Sequence, residues 1–209
     1  MEVTPKFAKL YNASSDEVRK KLMGLMDTFE KQFNQEQNTL YNLVHVMTLM
    51  DRVITNEIPK HLHCCEEGCS HCCYQNVDCT KKEAELILGY CHANQIEVDF
   101  KACERLSKLS DTFGQPCPFL KNNRCSVYEV RPLYCRSHYA VSNPELCRTD
   151  VRGVQAYRFS WTAEVILSVV GRKHSCLPLW TWIDQANQTG NHYASEEYAE
   201  LILKVGFQS

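Results

Sequence analysis

Glycine is scarce in this chain, eight residues in 209, and the shortage removes several function classes at once. No G-x-G-x-x-G turn is present to approach a dinucleotide, and neither a P-loop nor an HExxH helix occurs. No apolar run approaches the ~20 residues that a membrane helix needs. The longest candidate, 43–50, is interrupted by His45 and Thr48 and flanked by Asp51 and Arg52. An excess of one charge is missing too. A formal balance of −2 offers no general basic field for nucleic acid or an anionic membrane. No block of like charges marks a solvated tail. Strand patterns are few, and no internal repeat, low-complexity tract or flexible linker interrupts the chain.

What the chain has in excess is cysteine, 13 residues, beside a hydrophobic fraction of 44% that is ample for a core. Residues 1–10 carry no apolar h-region or small-residue cleavage site, so the expected location is the cytoplasm. Disulfides are rare there, and clustered cysteines then point to metal ligands or catalytic thiols rather than to a disulfide scaffold.

Helical period dominates the rest. Ser14 and Glu17 form a capping-box pattern ahead of a stripe through Leu22, Leu25, Met26, Phe29 and Phe33. A second stripe runs through Leu40, Leu43, Val44, Met47, Met50 and Ile54 toward Pro59. Together they predict an N-terminal helical hairpin over 1–60, with the Met-rich face as core. Thr80 with Glu83 predicts a second capping box and a helix through Leu86, Ile87 and Tyr90. Asp99 is placed to cap a short helix around Cys103, Leu106 and Leu109. Further helices are expected at 155–172, 178–188 and 195–205. The best strand is 124–128, within a loop-like stretch from 115 to 143 punctuated by Pro116, Pro118 and Pro132. The fold class is mainly α, with an irregular, loop-rich, cysteine-bearing centre and little strand. Residues 61–209 would form a metal-binding domain with C-terminal helices.

The cysteines fall into two groups. Cys65, Cys69, Cys72 and Cys73 lie within nine residues; Cys117, Cys125, Cys135 and Cys147 follow in turn-rich or basic settings. Short loops lower the entropy of bringing several donors to one point. The two-residue gap between Cys69 and Cys72 suits a tight turn that aims two sulfurs at one metal. Gly68 is free to take a positive φ so that the loop curls. Adjacent side chains usually diverge, which would send Cys73 to a second ion or to another edge of a cluster. Pro116 and Pro118 hold the backbone on both sides of Cys117. Arg131, Arg136 and Arg148 are suited to offset an anionic thiolate centre, or to grip an anionic substrate group, with surface pairing to Glu129 or Glu145 as the ordinary alternative. His138 is the best histidine candidate for a ligand or proton carrier, ahead of His61, His63 and His71. Cys91 and Cys103, within predicted helices, read as small buried hydrophobes, and Cys79 and Cys176 are likewise set apart from the ligands.

These blocks resemble a known family. A CxxCxxCC-type segment (65–73), then Cys117-Pro118-Phe119-Leu120, then Arg124-Cys125-Ser126-Val127-Tyr128 through Arg131-Pro132-Leu133-Tyr134-Cys135-Arg136, is similar to the YkgJ-type cysteine-cluster family. The resemblance covers roughly 65–147 and implies a zinc- or iron-chelating domain. Its eight ligands would be Cys65, Cys69, Cys72, Cys73, Cys117, Cys125, Cys135 and Cys147. The first gap is three residues rather than two, which leaves Cys64 and Cys65 both open as the first ligand. Flagellin lysine N-methylases are similar over the cluster, and that kinship implies an iron–sulfur centre linked to methyl transfer.

Three roles follow. One is an enzyme for redox or methyl-group transfer, with Tyr128, Tyr134 or His138 handling protons and no catalytic residue singled out. Another is a structural zinc module that binds a protein. The last is metal storage or delivery. A 4Fe–4S cluster stands first among the cofactors, with zinc or mononuclear iron as alternatives. The expected partners are the metal and a protein substrate or partner, with no nucleic acid and no membrane.

Overall fold

The computed structural model describes residues 16, 20, 24, 27, 43–48, 50, 51, 68–138 and 175–190. The expected helices at 155–172 and 195–205, the stripe from Leu22 to Phe33, and the Ser14 cap lie outside these residues. Asp16, Lys20, Gly24 and Asp27 are helical and exposed. They recur every three or four residues, as the polar face of that first helix should.

Residues 43–48, 50 and 51 are helical. Leu43, Val44, Met47 and Met50 are all buried, so the Met-rich stripe is core as expected, and Val46 joins it. The 3-10 turn His71–Tyr74 follows, and then strand β1, Asp78–Thr80. Helix α1, Lys81–Ala93, starts on the predicted capping box, with Glu83 N–H donating to the Thr80 hydroxyl at 3.3 Å and Thr80 N–H donating to Glu83 at 2.7 Å. It stops where Gln95 takes a left-handed φ of 54°.

Helix α2, Phe100–Ser107, is capped by Asp99, whose carboxylate accepts from Ala102 N–H at 2.9 Å. Cys103 and Leu106 are fully buried, but Leu109, expected in this helix, falls past its end and is 44% exposed. Its spacing matched the stripe, yet α2 ends first, at Ser107.

The expected strand at 124–128 is shorter. β2, Leu120–Lys121, pairs antiparallel with β3, Arg124–Cys125, around Asn122 and Asn123, both at positive φ. That is the two-residue hairpin geometry asparagine tolerates. The chain then turns through a 3-10 segment, Tyr128–Val130, into the short helix α3, Leu133–Arg136. Strand β4, Cys176–Pro178, pairs with β1 and leads into α4, Leu179–Gln188. Leu179 N–H donates to Val77 O at 2.8 Å, and Trp182 Nε1 donates to Cys79 O at 2.9 Å. These bonds fasten α4 to β1.

The fold is mainly helical and loop-rich, with only two small two-stranded sheets among the described residues. One apolar core joins the 43–50 stripe to α1, α2, α3 and α4. Among the described residues no helix is long and apolar enough to cross a membrane.

Candidate metal centre

The cysteine loops are shaped by turns rather than by regular elements. Gly68 has φ 88°, the left-handed conformation its place before Cys69 required. Cys73 N–H donates to Ser70 O at 2.9 Å, closing the 3-10 turn that carries Cys72 and Cys73. A backbone bond from Cys117 N–H to Cys73 O, 2.7 Å long, ties the second cysteine group to the first. Leu120 N–H donates to Cys117 O at 2.9 Å, and Ser126 N–H to Phe119 O at 2.9 Å, so Cys117 and Cys125 sit on consecutive tight turns.

Cys72, Cys73, Cys117, Cys125 and Cys135 thereby come within electrostatic reach of one another. Cys73 is raised first by a hydrogen bond to the Cys72 side chain, then by burial and by its thiol neighbours. The divergence expected of these adjacent residues does not occur, because the 3-10 turn leans their sulfurs together. Burial pushes the Cys117 thiol up to about 12, and the charges of Cys125 and Cys72 add to it. Cys135 is raised well above the ordinary thiol value by burial and by Cys117, Cys72 and Cys125. All five residues keep some exposed surface, but burial raises the thiols of Cys73, Cys117, Cys125 and Cys135.

Groups that favour thiolate oppose this. Phe119 N–H donates to the Cys117 sulfur and lowers its pKa. Val127 N–H does the same at Cys125, where Arg131 and Arg136 lower it further. Arg131 also lowers Cys135. A pocket of buried thiols, with backbone N–H groups at Cys117 and Cys125 and arginine charge nearby, fits a soft cation that binds thiolate. Among the described residues, no group of three or more Cys, His, Asp and Glu side chains is drawn to the spacing that would hold a metal ion.

The other sequence candidates separate clearly. Cys69 is half-buried beside the 3-10 turn. Cys64, Cys65, Cys147, His61, His63 and Arg148 lie outside the described residues. His71 is half-buried within the turn. Tyr128 is 54% exposed and lies under the Arg131 guanidinium, 3.8 Å from ring centre to carbon. Tyr134 packs against His138, with ring centroids 5.8 Å apart, and His138 N–H donates to Cys135 O at 3.2 Å. Arg136 is almost fully buried, with its donors committed to Asp51 and to the carbonyls of Arg131 and Glu129. Glu129 therefore meets Arg136 through its backbone, and the carboxylate partner is Asp51. Cys91 and Cys103 are buried on helices as expected.

Sequence reasoning missed Glu83 as part of this region. Beyond its cap, its second carboxylate oxygen accepts from Leu133 N–H at 2.8 Å, at the start of the helix that carries Cys135. Burial raises its pKa, while the Thr80 and Leu133 N–H groups, the Thr80 hydroxyl and Arg136 lower it. The capping box hid this second role, because Leu133 is fifty residues away.

Residues 63–164 match the family model described as "CxxCxxCC: Putative zinc- or iron-chelating domain". No curated protein and no solved structure matches the chain significantly. The matched stretch contains all the thiols of the pocket and agrees with the likeness to the YkgJ-type proteins drawn from the cysteine blocks.

Proposed function

We propose that the thiol pocket is a functional metal centre, with Cys69, Cys72, Cys73, Cys117, Cys125 and Cys135 as ligands and Cys65 and Cys147 completing the set. An all-thiol donor set favours a 4Fe–4S cluster over zinc or mononuclear iron, because soft sulfur donors suit such clusters. When bound, a cluster supplies electron transfer or a seat for group transfer, methyl transfer included. On this reading the protein works in the cytoplasm on a protein partner, and the 1–60 arm packs against the metal-binding unit 61–209.

The observation that carries the reading is the pair of backbone N–H groups directed at the Cys117 and Cys125 sulfurs, with Arg131 beside Cys125 and Cys135. Such donors do little for a neutral thiol and much for a thiolate. A role beyond fold support is favoured by the bracing. The Cys73–Cys117 backbone bond and the Glu83–Leu133 bond fasten the thiol-bearing turns to the core by the protein's own contacts. A structural zinc site in a small domain usually supplies that folding energy itself.

The test is the full chain prepared without oxygen, examined by visible absorption and elemental analysis. A brown protein is expected, with about four irons and about four acid-labile sulfides for a cluster on four of the eight thiols, and a further iron or zinc ion on the others. Colourless protein carrying zinc alone overturns the iron–sulfur reading, and absence of any bound metal overturns the centre. After chelation the helical circular dichroism should persist; its collapse would return the metal to a structural role.

A further inference from the structure

The loop that carries Cys72 and Cys73 and the loop that leads to Cys117 run antiparallel, joined at three points although neither is a regular strand. Cys117 N–H donates to Cys73 O at 2.7 Å, and Gly114 N–H donates to Tyr74 O at 2.8 Å. The third join is between side chains: the Thr112 hydroxyl donates to the side-chain oxygen of Asn76. Thr112 is 5% exposed, whereas Asp111 and Gly114 on either side are exposed. A buried hydroxyl is held by its hydrogen bond, so this one fixes where the second loop meets the first.

The pairing is uneven for a reason written in the sequence. Tyr74 and Cys73 are adjacent, but Gln115 and Pro116 intervene between Gly114 and Cys117. Neither surplus residue donates to the facing loop. Gln115 N–H goes to Thr112 O at 3.0 Å, closing a four-residue turn, and Pro116 has no N–H. Gly114 stands third in that turn with φ 85°, the left-handed conformation that type II turns reserve for glycine. The next donor along the chain is therefore that of Cys117. A slip of one residue either way would present Pro116 or Pro118, and neither has a proton to give. The prolines exclude neighbouring registers, but they do not bring the loop to Cys73. Thr112 and the Gly114 turn do.

We propose that Thr112 is a positioning residue of the metal centre: its buried bond to Asn76, with the Gly114 turn, sets the register that lays Cys117 against Cys73. The inference rests on the metal-centre reading above and assigns the alignment of its two cysteine groups to residues that carry no sulfur.

The test uses the full chain, freed of metal and titrated with Co(II) without oxygen against a competing chelator. The sulfur-to-cobalt charge-transfer band reports thiolate ligation, and amide exchange of the metal-free protein reports the Cys117 N–H. Thr112→Val and Gly114→Ala should each weaken Co(II) binding on the order of tenfold, the size of one buried hydrogen bond or one strained residue. Both should also speed exchange at Cys117. Thr112→Ser keeps the hydroxyl and Gly114→Asn tolerates the left-handed turn, so these two should restore both readouts. Ser107→Ala is the control. It breaks the 2.8 Å bond from Ser107 to Asp184 that joins α2 to α4, and should lower stability without changing Co(II) affinity. Unchanged affinity in folded Thr112→Val overturns the inference, as does an equal loss in Ser107→Ala. Should Thr112→Val fail to fold, Gly114→Ala decides the matter. Gly114 is exposed, and a Cβ there would meet no atom of the described residues within 4 Å. If the unaltered chain gives no charge-transfer band, the metal centre fails and this inference with it. If it gives the band and the variants bind equally well, only the inference falls.

Discussion

Cys103 and Cys117 make an instructive pair. Both thiols are pushed up to about 12, and burial is the main cause in each. Desolvation therefore does not distinguish them. Cys103 stands on the regular helix α2, one turn from its buried neighbour Leu106. Cys117 stands on a tight turn bonded to Cys73, with a backbone N–H directed at its sulfur. A helix spends its N–H groups on its own ladder and spreads its side chains around an axis. Irregular backbone leaves N–H groups available and lets distant residues converge. Burial alone leaves a thiol inert, whereas convergence and donated hydrogen bonds suit it to the ligand role proposed for Cys117.

The sharpest way to break this contrast is to remove one sulfur from each region. Cys135→Ser should lose most of the bound metal, beyond any stability cost of burying a hydroxyl there. Cys103→Ser should keep its metal and lose about 1–3 kcal/mol of stability, because it buries a hydroxyl in an apolar site. Metal stoichiometry and urea unfolding measure the two. Equal metal loss in both would erase the distinction.

An effect of similar size is expected at Glu83, which ties α1 to the helix that carries Cys135. Glu83→Gln keeps the shape but replaces a carboxylate that accepts from Thr80 N–H and Leu133 N–H. Hydrogen bonds to a charged acceptor justify a loss of about 1–3 kcal/mol, read from the midpoint of denaturant unfolding. A stability equal to the unaltered protein would show that the buried charge contributes nothing.

The gentlest test is pH. The fold holds Cys103 and Cys117 neutral, raising them from the ordinary 9.0 to about 12. Their contribution is complete below the unfolded value and is lost as pH climbs from about 9 toward about 12. Metal-free protein should therefore melt progressively lower across that window. Metal-loaded protein should show a shallower decline, because ligand thiolates have already given up their protons. Parallel slopes would mean that the pocket thiols take no part in binding.

Much of the scaffold was legible in the chain because it rests on short-range rules. The Thr80–Glu83 cap, the Asp99 cap and the Met-rich stripe all appear where three- and four-residue spacing put them. The misses have physical reasons as well. β1 and β4 span three residues each, too few to show a period, and they pair across about a hundred positions. The strand expected at 124–128 shrank to Arg124–Cys125 because the chain enters a 3-10 turn at Tyr128. Cys72 and Cys73 were expected to part, and the tight turn brought them together. Glu129 or Glu145 is the pairing that nearness in sequence suggests for the arginines, but the acid that meets both Arg131 and Arg136 is Asp51, some eighty residues away.

Amino-acid order alone determined which residues carry the sulfur chemistry, where the helices begin, and which methionines turn inward, since capping and amphipathic spacing act within a few residues. Tertiary structure alone decided which cysteines meet, which carboxylates brace them, and which arginine is enclosed. Those outcomes depend on contacts between segments far apart along the chain, and no local pattern encodes the distance across a fold.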